Sequence, residues 1–211
     1  MTNQLRLTLK EAIPLIKEGD ILLFQAPTSI LSVGWWISKL TQSPYSHTGL
    51  ATWNNGQLHI VEFREFKGSR NKPIELQFNE NTNKTIDVYR IAEIINLPAF
   101  DRNFREFYTQ EYKFTPEIAR KITDTAKSLV GLNYHYWTIF YILLSLIPLT
   151  RLFINKDGSN NIINGYVCST MISYVVRINF IDLVPFVADI YASPSDLARS
   201  SLLNYQFTVT K

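Results

Sequence analysis

Cys168 is the sole cysteine of this 211-residue chain, and it opens an apolar-periodic run, Cys168-Ser169-Thr170-Met171-Ile172-Ser173-Tyr174-Val175-Val176. That periodicity predicts a helix whose first residue carries the sulfur. Unpaired amides and the positive end of the helix dipole gather at a helix start, where they favour a thiolate, so the position suits a nucleophile. A free cysteine is equally at home as a small buried apolar side chain, and position alone does not separate the two.

A second chemically loaded stretch lies far upstream. Tyr45-Ser46-His47-Thr48-Gly49-Leu50-Ala51-Thr52-Trp53 and Leu58-His59-Ile60-Val61-Glu62-Phe63 flank Asn54-Asn55-Gly56-Gln57. Asn-Gly between two strand-like runs predicts a hairpin with a two-residue loop. In that register Asn54 faces Gln57, Gly49 lies opposite Glu62, and Arg64 opposite His47. His47 and Glu62 then become diagonal neighbours, with Cα atoms roughly 7–8 Å apart and side chains long enough to meet. Gly49 is expected to leave room between them. A carboxylate beside an imidazole fixes its tautomer and stabilises the imidazolium, the orienting role that a Cys–His pair needs. His59 falls opposite Thr52, on the other face, and is not the partner. A three-residue loop would move Glu62 to that other face, so the constellation depends on the turn.

These residues resemble a family, the circularly permuted members of the NlpC/P60 papain-like superfamily, which includes the YiiX-like hydrolases and, more distantly, the lecithin retinol acyltransferases. The order is histidine, acid, cysteine. The matching segments are Gly19-Asp20-Ile21-Leu22-Leu23-Phe24 as a first core strand, Ser46-His47-Thr48-Gly49, Glu62, Gly131-Leu132-Asn133-Tyr134, Tyr166-Val167-Cys168-Ser169, and Ser193-Pro194-Ser195-Asp196-Leu197. Two departures stand out: His135 follows Tyr134 where an acidic residue is common, and an apolar segment precedes Cys168. The resemblance implies an α+β fold of permuted papain type, an antiparallel sheet or small barrel packed against helices, with the cysteine at a helix N-terminus. It implies Cys168, His47 and Glu62 as the catalytic set, and Tyr45 and Tyr166 as oxyanion or substrate-binding residues. Tyr45, two residues before His47, is expected on its face and able to donate beside the Cys168 amide, the alternative being an aromatic that merely covers the sheet.

Composition sets the bounds. The chain is long enough to bury a core, and one domain over 1–211 is expected, with an apolar insertion at about 136–154. A single cysteine excludes an internal disulfide framework and favours a reducing compartment. Net charge is +3, with no basic run interleaved with stacking aromatics, so no nucleic-acid partner is expected. Three histidines and one cysteine show no metal-ligand spacing, there is no Gly-rich phosphate loop or Gly-x-Ser-x-Gly, and neither metal nor cofactor is expected. Met1–Gly19 is rich in charges and reads as no secretory leader, which points to the cytoplasm.

Several elements must position the site. Thr8 and Glu11 have capping-box spacing ahead of Leu9, Ala12, Ile13 and Ile16 on one helical face, with Pro14 interrupting and Gly19 closing. Ser29 is expected to cap a helix whose Ile30, Val33, Ile37 and Leu40 face the core, before Pro44 leads into the histidine strand. Ile74, Leu76 and Phe78 alternate as a strand would, and Thr85 to Ile91 reads as another. Thr115, Pro116 and the stripe Ile118, Ile122, Ala126, Leu129, closed by Gly131, give the clearest helix. A short helix capped by Ser193 and a last strand through Tyr205, Phe207 and Val209 complete the set.

Tyr136-Trp137-Thr138-Ile139-Phe140-Tyr141-Ile142-Leu143-Leu144-Ser145-Leu146-Ile147-Pro148-Leu149 is uncharged and strongly apolar. It is short of the roughly 20 residues that span a bilayer. It reads as a buried core helix, an apolar wall for an acyl chain, or a membrane-surface contact that would make the chain membrane-associated. The activity expected from the whole is a cysteine hydrolase of amidase or peptidase type working through an acyl-enzyme. A lipid-directed thiol acyltransferase or esterase, and a non-catalytic membrane- or ligand-binding module on the same fold, are the alternatives. The corresponding partners are a peptide, amide or acyl-lipid.

Overall fold

The computed structural model describes residues 5–64, 67–80, 85–101, 106–133, 167–185 and 187–211. Its apolar alternation builds one large sheet with a hydrophobic cluster on each face. Ile21, Leu23, Leu50, Val61 and Phe63 belong to one cluster, and their sequence neighbours Leu22, Phe24, Ala51 and Ile60 to the other. Successive side chains of a strand point to opposite faces, so a strand covered on both sides reads as a nearly continuous apolar run.

In chain order the elements are β1 (Arg6–Thr8), α1 (Leu9–Ala12), β2 (Ile21–Gln25), α2 (Val33–Thr41), β3 (Tyr45–Asn54), β4 (Gln57–Arg64), β5 (Gly68–Pro73), α3 (Ile74–Glu80), β6 (Ile86–Ile91), β7 (Ile94–Asp101), β8 (Glu106–Lys113), α4 (Pro116–Ser128), α5 (Cys168–Arg177), α6 (Pro194–Ala198) and β9 (Leu203–Thr210). The large sheet runs β1-β9-β6-β2-β3-β4-β5, and β7 and β8 form a separate two-stranded sheet. The fold is α+β, with a mixed sheet rather than the antiparallel one expected, because β1 pairs parallel to β9.

The capping box at Thr8 forms, with Glu11 Oε2 accepting from the Thr8 amide at 2.8 Å. Pro14 then turns the chain into a 3-10 segment, Ile13–Leu15, so the expected longer helix is cut short. At α2 the cap is Ser32 and not Ser29, whose hydroxyl instead accepts from the Leu31 amide and closes a local turn. That delay takes Ile30 out of the helix; Ile37 is buried while Ile30, Val33 and Leu40 stay exposed, correcting the expected core stripe. Ile74–Glu80 is a helix and not a strand: Ile74 and Phe78, one turn apart, are buried and Leu76 is exposed.

Two helices hold the site's surroundings. α4, capped by Thr115 with Pro116 at its first position, packs Ile122 and Ala126 into the cluster that α5 joins through Met171, Ile172 and Val175. The turn after α4 also anchors β5, because the Ser69 amide donates to the Leu132 carbonyl at 2.9 Å and the Leu132 amide to Ser69 Oγ at 3.1 Å. Among the described residues no helix is long and apolar enough to cross a membrane. The apolar run 136–149, the insertion at about 136–154 and Tyr166 lie outside the described residues.

Candidate active site

The hairpin that carries the histidine closes through Asn55 (φ 48°) and Gly56 (φ 80°). Two consecutive positive φ values suit Asn-Gly and match the twist of the strands. The pairs Asn54↔Gln57, Thr52↔His59 and Leu50↔Val61 follow, so the register is the one read from the turn. Gly49 has a different use from the one expected. A Cβ there would sit 2.3 Å from Ile60 Cδ1 and 2.5 Å from Cγ1, so the glycine admits Ile60 into the sheet's packing.

Glu62 is fully buried, and its two oxygens have different partners. Oε2 lies 2.6 Å from His47 Nε2, and Oε1 accepts from Arg70 Nε at 2.7 Å. Arg70 stands directly across from Glu62 in the β4–β5 ladder. On the neighbouring strand His47 pairs with Phe24, and the two rings lie 5.2 Å apart. With Nε2 given to Glu62, Nδ1 is the ring nitrogen left for the nucleophile.

Cys168 is the first residue of α5 and only 6% exposed. It is buried, but not away from the histidine: its sulfur is close enough to act electrostatically on the His47 ring, which is itself 14% exposed at the side chain. The first bond inside the helix runs from the Met171 amide to the Val167 carbonyl at 3.0 Å. The amides of Cys168, Ser169 and Thr170 therefore precede the helical ladder, the part of a helix that supplies oxyanion donors. The start of α5 is fixed from behind. Ser169 Oγ donates to the Ala192 carbonyl at 2.6 Å, Ser173 Oγ to Asp189 at 2.7 Å, and the Val167 amide to Thr170 Oγ1 at 2.9 Å.

Electrostatics favour a charged ring. Burial opposes protonation of His47, but the charge of the Cys168 sulfur and the Glu62 carboxylate outweigh it and raise the group to about 9. Burial pushes Glu62 the other way, and His47, Arg70 and Arg64 together hold it below its ordinary value.

The other residues singled out from sequence fall elsewhere. A register shift between Phe24 and Gln25 makes Ser46 an extra residue on β3, so Tyr45 pairs with Gln25 and leaves the alternation of His47. Its hydroxyl donates to Asp87 Oδ2 at 2.7 Å. Burial and the bonds to Tyr89 and Asp87 raise the Tyr45 phenol far above its ordinary value. The oxyanion role expected of Tyr45 is thus corrected: its proton is committed to Asp87. His59 contacts Asn71 at 3.2 Å and Gln57 at 3.4 Å, away from the site as expected. Arg70 is the contributor that sequence reading missed, and the only available signal was an arginine at the facing position of a strand that lacks apolar alternation.

No protein-family model matches the chain, and no curated protein matches it. Among the solved structures that do match is the crystal structure of metalloprotein yiiX from Escherichia coli O157:H7, DUF1105, with a TM-score of 0.58. The chain shares that fold. Identity is 16%, and the match covers 92% of this chain and 97% of the other. Among the described residues no three His, Cys, Asp or Glu side chains converge as a metal site would need. Glu62, the nearest carboxylate, already has both oxygens engaged by His47 and Arg70.

Proposed function

We propose that this chain is a cysteine hydrolase of the circularly permuted NlpC/P60 papain-like type, with Cys168 as nucleophile, His47 as general base and acid, and Glu62 as the group that orients His47. The observation that carries the reading is a largely buried His47 ring held by Glu62 Oε2 at 2.6 Å and coupled electrostatically to the Cys168 sulfur at the start of α5. The Cys168 thiolate adds to the carbonyl carbon of an amide or ester. The resulting oxyanion accepts hydrogen bonds from the amides at the start of α5, and collapse of the adduct expels the amine or alcohol with a proton from His47. The thioester is then cleaved by water, whose proton passes to His47, and the carboxylic acid leaves as the thiol is restored. The description as a metalloprotein belongs to that neighbour: among the described residues no cluster fits a metal ion, and no step here passes through one.

Peptides and amides are the substrate class that this arrangement serves directly. The uncharged run 136–149 favours a second reading, an acyl lipid as substrate, with ester hydrolysis or acyl transfer in the same site and contact with a membrane surface. Phe140→Ser and Leu144→Ser distinguish them: selective loss of long-chain acyl substrates with folding retained supports the lipid reading. Collapse of the melting temperature and of both activities marks a core helix. The test of the enzyme itself is turnover of peptidic and acyl substrates by the parent and by Cys168→Ala. Cys168-dependent turnover is expected. Membrane or ligand binding with no turnover would instead make the chain a non-catalytic module.

A further inference from the structure

Arg70 is placed where neither packing nor surface charge explains it. It projects from β5 directly across from Glu62, and its side chain is 17% exposed. Nε and Nη2 both lie on Glu62 Oε1, at 2.7 and 2.6 Å. Nη2 also donates to Gln77 Oε1 at 2.6 Å and to Glu80 Oε2 at 3.0 Å. The guanidinium is therefore held on both sides, by the site's carboxylate and by α3. Gln77 is wholly buried, and among the described residues its Nε2 finds no hydrogen-bond partner. A buried amide with one end unsatisfied is unfavourable unless its other end does something specific. Here that end accepts from Arg70. Glu80 is shared in turn with Lys67 at 3.1 Å and Lys72 at 2.6 Å, which ties α3 back to β5.

We infer that Arg70 is the positioning residue of the Cys168 site: clamped by Gln77 and Glu80, it fixes the Glu62 carboxylate so that Glu62 can in turn fix His47. This rests on the proposed role of His47 toward Cys168. The groups facing Glu62 are His47 from β3, Arg70 from β5 and Arg64 on its own strand, with Cys168 beyond His47. A buried carboxylate that loses a cation on one oxygen becomes easier to protonate, and a protonated Glu62 no longer holds the imidazolium. A merely structural arginine would affect stability without changing the acid side of Cys168 reactivity.

The experiment is the pH profile of Cys168 alkylation by iodoacetamide, followed by intact mass on the full chain, for the parent, His47→Gln, Arg70→Gln and Arg70→Lys, with folding checked by circular dichroism. In Arg70→Gln the acid limb is expected to move upward, so that at a pH on that limb alkylation falls about tenfold relative to the parent. Arg70→Lys keeps the charge and should retain the parent's limb. An unshifted limb in folded Arg70→Gln overturns the inference. If His47→Gln has the parent's profile, the proposed function itself fails, and the role of Arg70 with it. Should Arg70→Gln not fold, Gln77→Leu decides: release of the clamp should lower alkylation on the acid limb about threefold, and no change overturns the inference.

Discussion

His47 Nε2 and Glu62 Oε2 stand 2.6 Å apart across the β3–β4 hairpin, the carboxylate wholly buried and the ring nearly so. Such a contact orients the imidazole and leaves its other nitrogen for the sulfur. Glu62→Gln should therefore lower kcat/KM about 100-fold, the scale of general acid–base catalysis. It should also cost about 3 kcal/mol of stability by stripping Arg70 of its main partner. His59→Gln, whose partners are Asn71 and Gln57, should change neither by much. Steady-state kinetics and urea unfolding of the two variants check this, and equal losses would contradict it.

The pH dependence has a definite sign. His47 rises from 6.5 to about 9 in the folded chain, so its charging stabilises the fold fully below 6.5, and that contribution is lost as pH rises through about 9. Glu62 is lowered from 4.5, so its contribution is present above 4.5 and lost as pH falls through its folded value. Urea unfolding at pH 6 and pH 10 should show a parent that loses a few kcal/mol more than His47→Gln does at the higher pH. Identical losses would place the histidine outside the ionic network.

The hairpin is legible because Asn55-Gly56 favours a two-residue loop, and the register of that loop brings Glu62 to His47. The start of α5 was legible too, from the polar-to-apolar switch at Cys168. What escaped reading came from tertiary context. The bulge at Ser46 has no composition signal, so simple alternation puts Tyr45 on the face of His47, where the structure does not. Ile74, Leu76 and Phe78 satisfy a strand's alternation and, in Ile74 and Phe78, a helix's turn, and only the packing of α3 against β4 and β5 decides. β5 carries Gly68-Ser69-Arg70-Asn71-Lys72-Pro73, with no apolar face to reveal it, and so the Arg70 contact was invisible.

Tyr45→Phe separates the two roles considered for that phenol. Loss of the donor to buried Asp87 should cost about 1–3 kcal/mol, while Cys168 alkylation and turnover stay near the parent's. A drop of about 100-fold in turnover at unchanged stability would restore Tyr45 to the oxyanion site.

Gly49→Ala drives a methyl into Ile60 at 2.3–2.5 Å in the fully packed stretch beside His47. Overpacking of this kind costs about 1–3 kcal/mol. Adding Ile60→Ala should offset part of it, so the double variant should be more stable than the two single effects together imply. Strict additivity in thermal unfolding would mean that Gly49 and Ile60 do not compete for the same space.

Activation of Cys168 by His47 is tested most directly by intact-mass kinetics of acylation at neutral pH with a panel of peptidic and acyl electrophiles, parent against His47→Gln. A single adduct on Cys168 is expected, forming at least about 100-fold more slowly in the variant. An adduct that forms equally fast without His47, or no adduct from any member of the panel, would contradict it.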